Sequence, residues 1–148
     1  MEKALGELVR APSPQAIQAY REQLEQLPQS EPPVAHYFAD GLYARPMHLL
    51  AGESVVGARH RYEHLCIVVG ECLVYDGKEP PKHLEGLQIV VSKPGAQRVI
   101  VALAETIWIN VHATQLKDVA QIERELIEPD GTENRFFHAD GTPQERGN

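Results

Sequence analysis

The sequence predicts a mostly β fold, a small antiparallel barrel or sandwich, and three observations support it. Short runs rich in β-branched residues fill the middle of the chain, at residues 53–59, 63–69, 71–75, 86–91, 98–103 and 106–112. Turn-forming pairs separate these runs, at Ala51-Gly52, Asp76-Gly77, Pro94-Gly95 and Ala104-Glu105. Three histidines, His60, His64 and His112, stand at or beside predicted strand ends. A barrel of this size can hold one small ligand or metal ion.

A helix is predicted before the barrel, over residues 13–27. Ser13 is a favourable N-cap and Pro14 suits the first helical position. Apolar residues recur at spacings of three and four and form one stripe, made of Ile17, Tyr20, Leu24 and Leu27. Prolines end the helix and leave an extended connector over residues 29–34. The stripe must pack either on the barrel or on a second copy of the protein.

The barrel begins with a strand over residues 43–49, in which Pro46 favours an edge position or a bulge. A second helix is predicted from Gln115 or Leu116 to Ile127, because apolar residues again form one stripe there. The residues after Pro129 are polar and predict a mobile tail, in which Phe136 and Phe137 contact a neighbour. The predicted organisation is therefore 1–33 for the helix and connector, 34–128 for the barrel with its second helix, and 129–148 for the tail.

Composition limits the function classes. The chain has 148 residues, 43% of them hydrophobic, and a formal net charge of −7. This acidity argues against nucleic-acid binding, and the basic residues do not cluster along the sequence. We expect no membrane span and no signal peptide, hence a protein of a cytoplasm, bacterial or virus-infected. Cys66 and Cys72 are expected to be buried, reduced thiols. Phosphate-loop, dinucleotide-binding and nucleophile-elbow motifs are absent.

Alternation along a strand decides which side chains share a face. In the last strand Trp108, Asn110 and His112 lie on one side. In the strand that starts near residue 63, His64 and Glu63 lie on opposite sides. Alternation alone does not decide which face points into the barrel.

The segment resembles the two-part signature of the cupin superfamily, through the residues Gly52, His60, Glu63, Gly70, Pro94-Gly95 and Asn110. The resemblance covers roughly residues 34–127. It is greatest to small cupin proteins encoded by bacteriophages, on the stretches 36–41 and 106–112. It implies a cupin-type double-stranded β-helix (jelly roll) barrel with a helix before it and a helix after it.

The sequence departs from the cupin metal-binding signature at two positions. Tyr62 occupies the second place of the His-x-His pair, and Arg98 falls near the place of the second-block histidine. A set of three histidines and one glutamate cannot be carried over intact. The candidate metal ligands are His60, Glu63, His64 and His112, for Zn, Fe, Mn or Ni. The alternative is that the histidines lie at a solvated turn and a strand end.

Four further residues are candidates for a ligand pocket. Tyr62 and Arg98 are placed to hydrogen-bond a small anionic ligand at the barrel mouth, with a solvated Arg98 as the alternative. Trp108 and Asn110 share a face with His112, so they are candidate pocket walls, with core packing as the alternative for Trp108.

Three functions remain open. The first is a phage-type cupin protein that binds a divalent metal or a small ligand inside the barrel, with no assigned reaction. The second is a structural or accessory virion protein, or a host-interaction protein, that uses the barrel as a scaffold. The third is a metal-dependent dioxygenase, isomerase or epimerase acting on a small polar molecule. We expect a homodimer or a higher homo-oligomer, because nothing in the sequence identifies what covers the apolar stripe of the first helix.

Overall fold

Strand β4 (His64–Tyr75) is the centre of the computed structural model, which describes residues 6, 9–28 and 32–128 and the backbones of Arg135–Phe137 and Pro143–Glu145. One edge of β4 pairs along its length with β5 (Lys82–Ser92). Its other edge pairs first with β7 (Thr106–Ala113) and then with β6 (Val99–Ala102). With β1 (Tyr37–Ala39), β2 (Leu42–Leu49) and β3 (Ser54–Val56), these strands form one curled antiparallel sheet of seven strands. The prediction of a mostly β, jelly-roll fold is confirmed.

Gly70 is the point at which β4 changes partner, and it does not separate two strands as the sequence predicted. Its φ of 138° lies in the region that favours glycine. The connection between β6 and β7 crosses here, and the Leu103 N–H donates to the Glu71 carbonyl at 2.9 Å. A Cβ on Gly70 would overlap the Glu105 carbonyl oxygen and lie 2.7 Å from Thr106 Cα. A residue with a side chain does not fit, so one long strand replaces the two predicted runs.

The burial of the side chains of β4 and β7 shows which face of each strand points into the barrel. Val68 is 1% exposed, and its neighbour Val69 is 44% exposed. His64 lies on the same inner side as Val68, and His112 lies inside with Trp108. The inner faces of the sheet build an apolar core from Met47, Leu49, Val55, Cys66, Val68, Cys72, Val74, Ile100, Ala102 and Trp108. The histidines therefore stand at the end of a packed barrel interior.

Helix α1 (Pro14–Leu24) packs on the barrel of its own chain. The Ser13 hydroxyl caps it by accepting from the Ala16 N–H at 3.0 Å, as predicted. The Tyr20 hydroxyl hydrogen-bonds Ser54 Oγ at 2.8 Å. The helix ends at Leu24, earlier than predicted, and Leu27 of the predicted stripe is exposed. The rest of the stripe is buried against the barrel in one cluster, formed by Ala16, Ile17, Tyr20, Leu24, Val56, Tyr75 and Val99. The stripe therefore needs no second copy to cover it, and this reason for expecting an oligomer no longer holds.

Helix α2 (Val119–Leu126) begins later than predicted, because the Asp118 side chain caps it by accepting from the Gln121 N–H at 3.2 Å. Ile122 and Leu126 pack against Tyr43 of β2. Pro46 lies inside β2, where its carbonyl accepts from the Ala35 N–H at 3.1 Å. Its missing N–H would have faced the 33–35 connector and not β7, which is the edge-like position predicted for it.

The segment after α2 contains two short strands that were not predicted, β8 (Arg135–Phe137) and β9 (Pro143–Glu145), paired antiparallel. The prediction that Phe136 and Phe137 contact a neighbour concerns side chains outside the described part of the chain. Apart from these two strands, the residues after 128, over which a mobile tail was predicted, also lie outside the described part of the chain.

Candidate metal centre

Three histidines converge at one end of the barrel interior. The ring centroids of His60 and His64 are 4.4 Å apart, those of His60 and His112 are 5.1 Å apart, and those of His64 and His112 are 4.3 Å apart. One nitrogen from each ring lies within 4.8 Å of the corresponding nitrogens of the other two, and all three residues are buried. A shared metal ion requires His60 and His112 to approach each other in this way, and the structure brings them together.

His60 is positioned by backbone contacts on both sides. It forms a β-bridge with Ile127, just after α2, and the neighbouring Arg61 N–H donates to the Leu126 carbonyl at 2.8 Å. The His60 carbonyl accepts from the Gly95 N–H at 2.8 Å. The end of the second helix and the Pro94-Gly95 turn therefore hold the loop that carries this imidazole.

The other two imidazoles project from strands. His64 opens β4, and its Nδ1 lies 3.2 Å from the Tyr62 carbonyl oxygen. Since a carbonyl only accepts, Nδ1 carries the proton and Nε2 keeps its lone pair. His112 pairs across the sheet with Tyr43, whose ring stacks on it at 6.3 Å and whose hydroxyl hydrogen-bonds His36 Nδ1 at 2.7 Å. These contacts fix the orientation of each ring.

All three imidazoles are held in the neutral form. Burial lowers the pKa of His60 to about 2, and the adjacent histidines and arginines act in the same direction. Burial lowers the pKa of His112 to about 3. Burial also lowers the pKa of His64, although hydrogen bonds to Tyr62 and Asn110 oppose it. Neutral imidazole is the form that coordinates a metal ion.

A cavity of about 50 Å³ adjoins His60 and His64. Three of the four predicted pocket residues, Arg98, Trp108 and Asn110, line it. The Trp108 indole N–H donates to Asn110 Oδ1 at 3.1 Å. Cys66 Sγ also lies 3.2 Å from that oxygen, so the amide is held on the wall.

Two predicted site residues are not brought to the centre. The Glu63 carboxylate forms an ion pair with Lys93 at 2.6 Å on the surface, with about half of its side chain exposed. Because β4 begins at His64 with that residue facing inward, Glu63 falls outside the barrel. The Tyr62 ring is exposed and does not line the cavity, and only its backbone carbonyl contacts the site.

Arg45 is a cavity residue that was not singled out from the sequence. It is 7% exposed and projects inward from β2. Its Nη1 forms an ion pair with Glu123 of α2 at 2.9 Å. Alternation would have placed it on the inner face with Tyr43, Met47 and Leu49, once that face was known to be buried.

The basic side chains that are scattered in the sequence meet around a groove of about 290 Å³. The groove shares Ala96 and Arg98 with the cavity, so the two adjoin. Five cationic residues line it against one acidic residue, Asp76; they are Arg59, Lys78, Lys82, Lys93 and Arg98. Basic residues that do not cluster along the sequence are therefore close together in the folded structure.

A second group of potential ligands lies on the outer surface, at the far end of β4 and β5. It consists of Glu71, His83 and Glu85, and the Glu71 carboxylate lies 2.7 Å from His83 Nε2. The group is largely exposed, and such surface groups are common without a metal ion.

Elsewhere, Cys66 and Cys72 are buried free thiols, as predicted. No helix of the described residues has both the length and the apolar character needed to cross a membrane.

Comparisons with known proteins bear on the fold. No protein-family model and no curated protein matches the chain. A protein with a double-stranded β-helix domain from Klebsiella pneumoniae is 20% identical with a TM-score of 0.50, and the match covers 57% of this chain and 74% of that one. Ectoine synthase from P. lautus is 10% identical with a TM-score of 0.51, over 66% and 79% of the two chains. A cupin superfamily protein from Desulfitobacterium hafniense is 11% identical with a TM-score of 0.49, over 57% and 79%.

The double-stranded β-helix domain of the Klebsiella pneumoniae protein agrees with the curled antiparallel sheet described above. A mostly β architecture with a helix before it and a helix after it is what the sequence predicted. At these identities the comparisons establish architecture alone. The chain has the double-stranded β-helix fold.

Proposed function

We propose that this protein binds one divalent transition-metal ion through His60, His64 and His112, inside a double-stranded β-helix. The observation that carries the proposal is the convergence of three buried imidazoles whose ligand nitrogens lie within 4.8 Å of one another. Imidazole suits Zn, Fe and Ni, and also Mn where oxygen ligands complete the set. The bacteriophage origin and the cytoplasmic location remain expectations from the sequence, and the proposal does not depend on them.

The three neutral imidazoles are better suited to binding a metal ion than to packing in an apolar core. His60 Nδ1 is buried and has no hydrogen-bond partner among the described residues. Burying a polar nitrogen without a partner costs about 1–3 kcal/mol, so natural cores rarely contain one. The three neutral rings lie close together and each carries a nitrogen lone pair, but few hydrogen-bond donors are present to satisfy these lone pairs. A metal ion bound to these nitrogens would remove that cost.

Three protein ligands beside a cavity leave room for a further ligand on the metal. Such an open position is typical of catalytic sites, whereas structural zinc sites have four protein ligands. A bound ion there would supply Lewis-acid chemistry, and the Trp108–Asn110 wall would orient a small molecule next to it. Ectoine synthase shows that the fold hosts enzymes, but its 10% identity gives no reaction for this chain.

The test is elemental analysis of protein purified without added metal, followed by titration of the metal-free protein with Zn²⁺ and Fe²⁺. We expect one equivalent of metal, lost in His60→Ala. The matched control is His48→Ala, which removes an exposed imidazole paired with Glu105. His83→Ala tests the surface group. Metal lost in His83→Ala but kept in His60→Ala would contradict the proposal, as would the absence of metal binding at micromolar concentration.

A second candidate function, a structural role, is favoured by the outer face of β4 and β5. Apolar side chains are exposed there in register across the two strands and β7, with Leu87 at 67% and Ile89 at 65% exposure; the others are Leu65, Val69, Val91 and Ile107. We call these six residues the outer apolar face. Monomeric proteins rarely expose a contiguous apolar patch of this kind beyond a few hundred Å².

We propose that a second copy of the chain covers the outer apolar face. The two ends of the face differ in charge: Glu71 and Glu85 lie at one end, and the ion pair between Lys93 and Glu63 lies at the other. Two copies packed face to face with their strands antiparallel would place the acidic end of each copy against the ion pair of the other and would keep the two acidic ends apart. The face also reaches β5, which pairs with no strand but β4 in the described residues. This arrangement gives the isologous contact that a two-fold dimer requires.

Light scattering at micromolar concentration tests the dimer. We expect a mass of two chains, reduced to one chain in Ile89→Lys. Leu103→Lys is the matched control, since Leu103 is an exposed leucine that is not part of the outer apolar face. A wild-type mass of one chain would overturn the dimer, as would an equal loss of mass in both variants.

A further inference from the structure

The cavity beside His60 and His64 is lined by two positive charges and by no carboxylate, and only one of the two charges is paired, through Glu123, which is not part of the lining. The lining contains two guanidinium groups, those of Arg45 and Arg98, and no Asp or Glu. Arg98 forms no ion pair with a carboxylate in the described part of the chain, and its Nη1 donates to Ser92 Oγ at 2.7 Å. A divalent metal ion at the histidines would add further positive charge to this space. Charge in a region of low dielectric constant needs a partner of opposite sign.

Arg45, which lines the same cavity, has a hydrogen-bond donor without a partner among the described residues. One nitrogen, Nη1, is paired with Glu123, while Nη2 is buried and has no hydrogen-bond partner among the described residues. The residue as a whole is 7% exposed and lines the cavity, so no described residue satisfies that donor. A guanidinium group on a cavity lining, with one nitrogen paired and another without a partner, is suited to a planar oxygen acceptor.

We propose that this cavity binds a small carboxylate, which accepts hydrogen bonds from Arg45 Nη2 and the Arg98 guanidinium. The inference rests on the proposed function, because the carboxylate would share the site with the metal ion. The volume of about 50 Å³ limits the size of the group inside. About 10–15 Å³ accommodates one water, so a group of roughly four non-hydrogen atoms fits. A carboxylate with one attached carbon meets that limit, and a longer ligand would extend through the mouth.

The groove that adjoins the cavity has the charge that an anion would need on approach. Five cationic residues line it, although the chain as a whole has a net charge of −7. Arg59, Lys82 and Lys93 each form an ion pair with a glutamate, whereas Lys78 and Arg98 form no ion pair in the described part of the chain. Cationic clefts raise the local concentration of anions and the rate at which they bind. Arg98 lines both the groove and the cavity, so it lies where an anion passes from one to the other.

The experiment uses calorimetric titration of the metal-loaded and the metal-free protein with three probes: acetate, acetamide and inorganic phosphate. Arg45→Lys keeps a charge for Glu123 but removes the second donor, and Arg98→Gln removes the unpaired charge. Lys117→Gln is the control, because it removes one exposed charge outside the cavity and the groove. Each variant is first titrated with Zn²⁺ in a buffer without carboxylate.

We expect acetate to bind wild type and Lys117→Gln at least tenfold more tightly than it binds Arg45→Lys and Arg98→Gln. Acetamide should bind at least tenfold more weakly than acetate, since it lacks the charge. Zn²⁺ affinity without acetate should stay within about twofold of wild type in Arg45→Lys and should rise in Arg98→Gln, because a repelling charge is removed.

Equal acetate affinities in all four proteins would overturn the inference. Acetamide binding as tightly as acetate would overturn it as well, and phosphate binding in place of acetate would show that the site takes inorganic anions and not carboxylates. Zn²⁺ uptake without acetate binding refutes the inference and leaves the proposed metal site intact. Acetate binding through Arg45 and Arg98 without Zn²⁺ uptake supports the anion site and refutes the metal site.

Discussion

The two faces of β4 and β7 depart from the usual distribution of side chains in opposite ways. Their inner faces end in buried His64 and His112, beside a third imidazole and close to two arginines. Their outer faces expose Leu65, Val69 and Ile107, next to the exposed Leu87 and Ile89 of β5. A buried polar cluster and a large exposed apolar patch are the informative exceptions in a folded protein. The two proposals rest on this difference, with metal binding proposed for the inner side and association of two copies proposed for the outer side.

Acid should affect the inner face most. An unfolded histidine binds a proton below about pH 6.5, whereas folded His60 and His112 stay neutral down to about pH 2 and 3. The unfolded state therefore binds more protons, and stability is lost as pH falls below 6.5. The loss is about 1.4 kcal/mol per pH unit for each imidazole. Urea unfolding of metal-free protein between pH 6.5 and 4.5 measures it.

His60→Gln tests the origin of the acid effect. The free energy of unfolding of this variant should depend less steeply on pH than that of wild type, because one of the imidazoles has been removed. Leu103→Ala should keep the full dependence, because it removes an exposed side chain that carries no titrating group. Equal slopes for wild type and His60→Gln would show that His60 is protonated in the folded protein, contrary to its burial.

Loss of one ligand is the next largest effect. We expect His112→Ala to weaken metal binding by more than about 100-fold, because removing even an outer-shell partner of a ligand typically costs about 10–100-fold. Competition with a chelator of known affinity measures the change. Tyr43→Phe keeps the ring that stacks on His112 and removes the hydroxyl bonded to His36, so it should cost less than His112→Ala. A larger loss in Tyr43→Phe would mean that the geometry depends on Tyr43 more than on His112.

A pair of neighbouring valines compares the two faces directly. Val68 points inward at 1% exposure and Val69 points outward at 44%. Val68→Ala should lower the free energy of unfolding by about 2 kcal/mol, through lost burial and a residual cavity. Val69→Ala should change it by less than about 0.5 kcal/mol in the monomer. Urea unfolding at a concentration below that of dimer formation measures both, and similar costs would show that the outer face is covered within one chain.

The smallest effect concerns the release of protons on metal binding. Because burial keeps all three imidazoles neutral, Zn²⁺ uptake at pH 7.5 should release fewer than about 0.3 protons per ion from the protein side chains. Calorimetry in buffers of different ionisation enthalpy measures this number. A release near one proton would indicate that a charged imidazole or another acidic group, such as a thiol, takes part.

The sequence supported the fold better than the site, for physical reasons. Turns such as Asp76-Gly77 are local, so the strand boundaries near them could be predicted. The candidate ligand Glu63 lies outside the barrel, because a one-residue difference in where a strand begins exchanges the two faces. Gly70 was taken as a break, since its close approach to Thr106 depends on a connection more than thirty positions away.

The same limit explains the site residues that could not be recognised from the sequence. The cations of the groove come from separate segments, around Arg59, Lys78, Lys93 and Arg98, so no window of sequence shows them together. Arg45 is one polar residue in a strand, and its role follows only from the pairing with Glu123 of the second helix. The three histidines, by contrast, could be singled out because strand ends at one side of a small barrel must lie close together.

The bridge between His60 and Ile127 has a consequence for the order of events during synthesis. The neighbouring Arg61 and Ile127 are 66 positions apart, and the Arg61 side chain donates to the Ile127 carbonyl at 3.1 Å. A nascent chain that has left the ribosome only as far as β7 already carries all three histidines, but the loop holding His60 lacks its support. Metal capture would then follow the emergence of the last helix, and the captured ion would stabilise that helix against detachment from the barrel.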